Sequence, residues 1–222
     1  MTTVTRSCLV CGTPSTKSCS VCKTASYCDA EHQKKVRSKD DTQRQLFAPN
    51  SSLSPLRFLQ DWRSHKEYCS KVKAAGANTF DAILFPVNET KPRLVKIPWK
   101  LNRGDEYDPT HFHKLDTDIW FKHANKAVRP IYFHRLGING PELGRSLCFR
   151  YDDNFMMNQL PLNRCIVEVT GGKAGHQWCG NILALRMESL HSYDFYASVD
   201  MEEDLKLFVT YFDEYNKVKP VH

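Results

Sequence analysis

The chain has no apolar run approaching the roughly 20 residues that span a bilayer, and its mean hydropathy is -0.51. The first ten residues, MTTVTRSCLV, carry neither the apolar segment nor the small-residue cleavage site of a secretory signal. These two absences exclude a membrane-spanning or secreted protein as a first reading. Nine cysteines are then expected as free thiols or metal ligands in a reducing interior, not as disulfides. The phosphate-binding pattern GxxxxGK[ST] is missing as well. The nearest segment, TGGKAGH at 170–176, reads as a tight turn between two strands. There is no internal repeat and no low-complexity tract. Apolar residues are scarce before residue 46, so the N-terminal stretch cannot build a hydrophobic core. Metal is the obvious source of its cohesion.

What is present divides into two regions. With 222 residues, 41% of them hydrophobic and 11% aromatic, the chain can bury a core and make one or two domains. Six cysteines (Cys8, Cys11, Cys19, Cys22, Cys28 and Cys69) fall within residues 8–69, and three (Cys148, Cys165 and Cys179) in the rest. Formal charge is +7 over residues 1–75 and -1 over residues 76–222. Construction therefore changes near residue 75, and we expect one domain over 1–75 and another over 76–222.

Residues 36–60 combine a polar, serine-rich centre with two prolines and read as a loop. The small and polar run KVKAAGANT (71–79) reads as a linker or domain boundary. From Phe80 onward, short apolar runs alternate with turn residues: DAILFPV, PRLVKIP, RPIYFH, SLCFRY, RCIVEV and WCGNILAL predict strands. WFKHANKAV (120–128) predicts a short helix. A second helix is predicted after Asp200 and Glu203, which form an Asp-x-x-Glu capping signal. Leu205, Phe208, Val209, Phe212 and Tyr215 then recur at helical spacing, with Pro220 beyond. The expected architecture is an α+β domain with a mainly antiparallel sheet and a C-terminal helix.

The first region reads Cys8-x2-Cys11-x7-Cys19-x2-Cys22-x5-Cys28-x3-His32, then, after a gap, His65-x3-Cys69. A Cys-x2-Cys pair fits a tight knuckle with both thiolates aimed at one ion. Zinc accepts four tetrahedral Cys or His ligands, so eight ligands make two closed Cys3His sites, structural and without an open position for water. An iron–sulfur cluster suits two histidines less well. Spacing alone does not fix which ligands share an ion.

The run CLVCGTPSTKSCSVCKTASYCDAEHQ followed by DWRSHKEYC strongly resembles the MYND-type zinc finger, a small cross-braced module. The resemblance implies one zinc on Cys8, Cys11, Cys28 and His32, and another on Cys19, Cys22, His65 and Cys69. His32 stands where the family usually has Cys, and 32 residues separate His32 from His65 where the family has seven. Removing residues 36–60 restores seven. Valine codons begin GT and a glutamine codon can be CAG, so that segment reads either as a surface insertion or as a retained in-frame intron; peptides from within it in native protein would sink the intron. Family fingers bind short Pro- and Leu-containing peptides, and the matching positions here are Gln33 and Trp62. The stretch from DAILFPV to MEEDLKLFV also resembles a region of uncharacterised fungal MYND proteins, which carries no known activity.

Some MYND proteins are enzymes, but residues 80–222 lack the Asn-His-Ser-Cys run of a SET methyltransferase. They also lack the His-x-Asp of an iron and oxoglutarate hydroxylase; His111-x-His113-x2-Asp116 has the wrong spacing. Cys148, Cys165 and Cys179 sit in apolar strand-like runs and read as buried hydrophobes, and His134 and His191 as core or boundary histidines. In the finger, six thiolates and two zinc ions bring +7 to about +5, spread along the chain, which argues against nucleic-acid binding. The expectation is a non-catalytic, zinc-binding adaptor with a protein or peptide partner in the nucleus or cytoplasm. The alternative is an enzyme with its site in 80–222 whose finger recruits substrate.

Overall fold

The computed structural model describes residues 6–8, 13–15, 17–23, 25–32 and 55–217, apart from 105, 107, 108, 122–126, 138, 191 and 216, with backbone alone at 6–7 and 55–64. Two compact units are found, Met1–Gly76 and Ala77–His222.

The first unit contains an antiparallel ribbon of β1 (Arg6–Ser7) and β2 (Pro14–Ser15) and a long helix, α1 (Pro55–Ala75). Pro55 suits the first helical position, where its missing N–H has no partner to lose. Residues 55–60, read from sequence as loop, are therefore helical, while 36–54 lie outside the described residues. Of the linker or domain boundary read at 71–79, the boundary falls between Gly76 and Ala77, and only the linker is corrected. The helix runs through Ala75 and stops at Gly76, whose φ of +57° is the left-handed C-terminal cap. His65, Tyr68 and Val72 are buried on one face of α1.

The second unit is one curled antiparallel sheet. Its strands are β3 (Thr79–Phe85), β4 (Arg93–Asn102), β5 (Phe112–Leu115), β6 (Val128–Arg135), β7 (Glu142–Asp152), β8 (Ile182–Met187) and β9 (Tyr196–Ala197). They run in the order β5-β4-β3-β8-β7-β6, with β9 paired to β8. Among the described residues it also has two helices, α2 (Arg164–Val169) and the C-terminal α3 (Asp204–Glu214). On one face Ile83, Phe85, Leu147, Phe149, Ile182 and Ala184 join Phe208, Tyr211 and Phe212 of α3 and Ile166 of α2 in a single core. On the other face Ala82, Leu84, Val95, Ile97, Cys148, Leu183 and Leu185 are equally buried. Burial on both faces explains why AILF and ILAL are continuous apolar runs and not alternating ones.

Five of the six predicted strands coincide with β3, β4, β6, β7 and β8; RCIVEV does not. It is α2, because buried Asn163 caps it: its Oδ1 accepts from Ile166 N at 2.9 Å, while its Nδ2 donates to Phe85 O at 2.9 Å and Gly180 O at 2.7 Å. TGGKAGH is consequently the exit of a helix, not a turn between strands. Gly171 and Gly172 have φ of +57° and +77°, and Gly172 N–H returns to Val167 O at 2.8 Å. Gly175 N–H then donates to Phe212 O at 2.8 Å, so close to α3 that a Cβ there would stand 2.4 Å from Tyr215 O.

The cap of α3 differs by one position from the sequence signal. Asp200 Oδ1 accepts from Glu202 N and Glu203 N, but it is Asp204, fully buried, that reaches back to Asp200 N at 2.8 Å. Glu203 pairs with Arg145 at 2.9 Å instead. Of the helix predicted at 120–128, Trp120 lies in a turn and 122–126 are outside the described residues.

Candidate metal centre

Local backbone bonds shape the finger before any metal is considered. Cys8 N–H donates to Thr13 O at 2.8 Å, next to the β1–β2 pairing. In the second knuckle Cys19 N–H donates to Ala25 O at 2.7 Å and Lys23 N–H to Cys19 O at 2.9 Å, with Lys23 at φ +55°. Ser15 Oγ donates to Tyr27 O at 2.6 Å, and Tyr27 N–H to Lys17 O at 3.0 Å, which fixes the segment leading into Cys28. Asp29 Oδ1 then accepts His32 N–H at 2.6 Å, capping a helical turn that sets Cys28 and His32 on one side. This backbone bond, with the Cys28 thiol second, holds the Asp29 carboxyl below its ordinary range.

Two clusters result. Cys19, Cys22, His65 and Cys69 offer ligand atoms all within 4.8 Å of one another; Cys8, Cys28 and His32 do the same. His65 and Cys69 are four apart on α1 and so share a face. The structure thus carries them across the 32-residue gap to the second Cys-x2-Cys pair. Cys11 and Gln33 lie outside the described residues; Trp62 lies within α1, and its side chain is not described.

The donor set fits zinc. With Zn–S near 2.3 Å, two thiolates of a tetrahedron stand about 3.8 Å apart; Cys19 Sγ and Cys69 Sγ are 3.7 Å apart. A thiolate and an imidazole nitrogen on one zinc stand about 3.6 Å apart; Cys8 Sγ to His32 Nδ1 is 3.7 Å. Cys28 Sγ stands closer still to the same nitrogen, 2.9 Å from His32 Nδ1. The Cys19 thiol is brought down to about 3, first by a hydrogen bond with Cys22, against desolvation, and further by His65. Such a thiolate is the form that ligates metal. Four Cys and His ligands close a site and leave no coordination position for chemistry.

Two residues of these clusters gave no sequence signal of their own. Tyr27, buried, places its hydroxyl 3.1 Å from His65 Nδ1. The Asp29 carboxylate lies 3.2 Å from Cys28 Sγ and 3.6 Å from His32 Nδ1. Only the identified ligands beside them, Cys28 between the two and His32 three residues after Asp29, could have drawn attention to them.

Residues 8–40 match the MYND finger family. The match covers the ligand positions from Cys8 to His32 and stops short of His65 and Cys69. Residues 8–40 thus carry a MYND finger, a type of module that binds zinc and mediates protein interactions, and the curled antiparallel sheet with its C-terminal helix follows it. No curated protein and no solved structure matches the chain. No helix among the described residues is long and apolar enough to cross a membrane.

In the second unit the titratable residues singled out from sequence are dispersed. His113 is not in a loop but in β5, packed on Trp99 and Phe80, while His111 is exposed. His134, expected at the core or its boundary, is exposed on β6; His191 lies outside the described residues. Cys148 and Cys165 are buried, and desolvation pushes both thiols up to about 12. Cys165 is on α2 and not on a strand. Cys179, half-buried, bridges to Leu162. A shallow depression of about 220 Å³ is lined mostly by aromatic side chains, Tyr132, Phe133, Tyr211 and Tyr215 among them, with His134 and Arg135; His111, His113 and His176 take no part in it.

Proposed function

We propose that the chain is a non-catalytic adaptor whose finger holds two structural zinc ions and recognises a short Pro- or Leu-containing peptide. Cys8, Cys11, Cys28 and His32 hold one ion, and Cys19, Cys22, His65 and Cys69 the other. The observation that carries this reading is the convergence of buried Cys19, Cys22 and His65 and half-buried Cys69 on one cluster across the long gap. A closed zinc site rigidifies a surface and leaves chemistry to no ligand position. Gln33 and Trp62 form the peptide contact, the amide bonding peptide backbone and the indole anchoring an apolar side chain. Residues 77–222 supply a second binding surface or an oligomer interface, and the protein works in a reducing interior, nucleus or cytoplasm, where thiolates stay available to metal.

The test is an affinity-purification mass spectrometry comparison of wild type and Trp62→Ala from the native cell type, with zinc content measured on both. The expected result is selective loss of a small set of proteins with two zincs per chain retained. Identical interactomes would overturn the peptide-binding role. Loss of metal in the variant would make Trp62 a structural residue of the finger.

A further inference from the structure

A neutral imidazole carries a proton on one nitrogen and a lone pair on the other, and a metal takes the lone pair. Which nitrogen is free to ligate is set by the hydrogen bond that the other one makes. His65 is the ligand of its cluster for which this choice exists. Its Nδ1 lies 3.1 Å from the Tyr27 hydroxyl. The two rings meet edge to face, with centroids 6.1 Å apart at 64°. Both residues are almost wholly buried, Tyr27 at 4% exposure and His65 at 6%, so water does not compete for the contact.

We propose that Tyr27 is a positioning residue for the metal site of Cys19, Cys22, His65 and Cys69. Its hydroxyl oxygen accepts the proton of His65 Nδ1, fixes that tautomer and turns Nε2 toward the three sulfurs. The proposal rests on the zinc reading above. Tyr27 itself is clamped from both sides of its backbone: Ser15 Oγ donates to its carbonyl and its N–H donates to Lys17 O. The next residue, Cys28, belongs to the other cluster. One residue thereby ties the geometry of the two sites together.

His32 supplies an internal contrast. Its Nδ1 is the atom facing sulfur, 2.9 Å from Cys28 Sγ and 3.7 Å from Cys8 Sγ. The two histidines therefore ligate through opposite nitrogens, His32 through Nδ1 and His65 through Nε2.

The experiment uses the full chain, labelled with 15N and loaded with zinc. Long-range proton–nitrogen correlation spectra of the imidazoles are expected to show His65 protonated at Nδ1 and metal-bound at Nε2, with the reverse pattern for His32. In parallel, zinc is competed from wild type and Tyr27→Phe with a chromophoric chelator. Tyr27→Phe keeps the ring and removes the hydroxyl, so one of two zincs should be held about 10–100-fold more weakly and the other unchanged. Two tightly held zincs with His65 bound through Nδ1, or a variant with both sites at wild-type affinity, overturn this proposal alone. A wild-type chain that takes up no zinc overturns the zinc reading and this one with it. Should Tyr27→Phe fail to fold, the wild-type ring spectrum decides.

Discussion

His113 illustrates how a residue suggestive of metal chemistry is used for packing. Its ring lies among Phe80, Trp99 and Phe195, with centroids 5.1, 4.2 and 4.9 Å away, and its Nδ1 accepts the Tyr196 N–H at 3.0 Å. Desolvation holds its pKa below the ordinary imidazole value, with Glu188 pulling weakly the other way. Because the folded pKa is the lower one, the unfolded chain takes up the proton first. The neutral ring's contribution is complete above about pH 6.5 and is lost as pH falls through that value toward the folded pKa. Protonation also places a hydrogen on the nitrogen that accepts from Tyr196. The melting temperature of the second unit should therefore fall more steeply between pH 7.5 and 5.5 in wild type than in His113→Gln. Parallel curves for the two proteins would remove this account.

Among the elements, α2 shows what a single buried side chain can decide. RCIVEV is β-branched and apolar, and its composition favours a strand. Asn163 overrides that preference by capping Ile166 N and binding the carbonyls of Phe85 and Gly180. Replacing it with Ala leaves three buried backbone groups without this partner. At about 1–3 kcal/mol for each buried group left unsatisfied, Asn163→Ala should destabilise the second unit by about 3 kcal/mol or more. Urea unfolding of the full chain, followed by Trp178 fluorescence, reads this out; a change under about 1 kcal/mol would mean the cap does not hold α2. The same contrast separates what was legible in the sequence from what was not. The strands β3, β4, β6, β7 and β8 follow from local apolar runs, and the pairing of Cys19 with Cys22 from local spacing. The Asn163 anchor, the docking of Gly175 on α3 and the contact of Tyr27 with His65 join residues distant in sequence, so no local pattern records them. The gathering of His65 and Cys69 with Cys19 and Cys22 is equally non-local, and spacing left it open. A one-residue shift separates the capping partner Asp204 from the Glu203 that the sequence signal suggests, because Arg145 claims Glu203 and Arg145 and Arg186 flank Asp204.

Across the whole molecule, the two units draw their stability from different sources. The second owns a core of phenylalanines, tyrosines and aliphatic residues packed on both faces of a sheet, where burial contributes about 25 cal/mol per Å² of apolar surface. Among the described residues of the first, the buried apolar set is Ala25, Tyr27, Tyr68 and Val72 beside the cysteines, too little to hold a fold. We expect its cohesion to come from metal binding, since structural zinc supplies folding free energy outright. A strong zinc chelator should then abolish amide-exchange protection across 6–32 and 65–75 while leaving β3, β7, β8 and α3 as protected as before. Cys22→Ser should act in the same way without chelator, because it removes one thiolate from the cluster containing Cys19, His65 and Cys69. Protection that persists in the first unit after chelation would show that hydrogen bonds and packing suffice there. Protection lost in both units together would show that the sheet domain also depends on the finger for its stability.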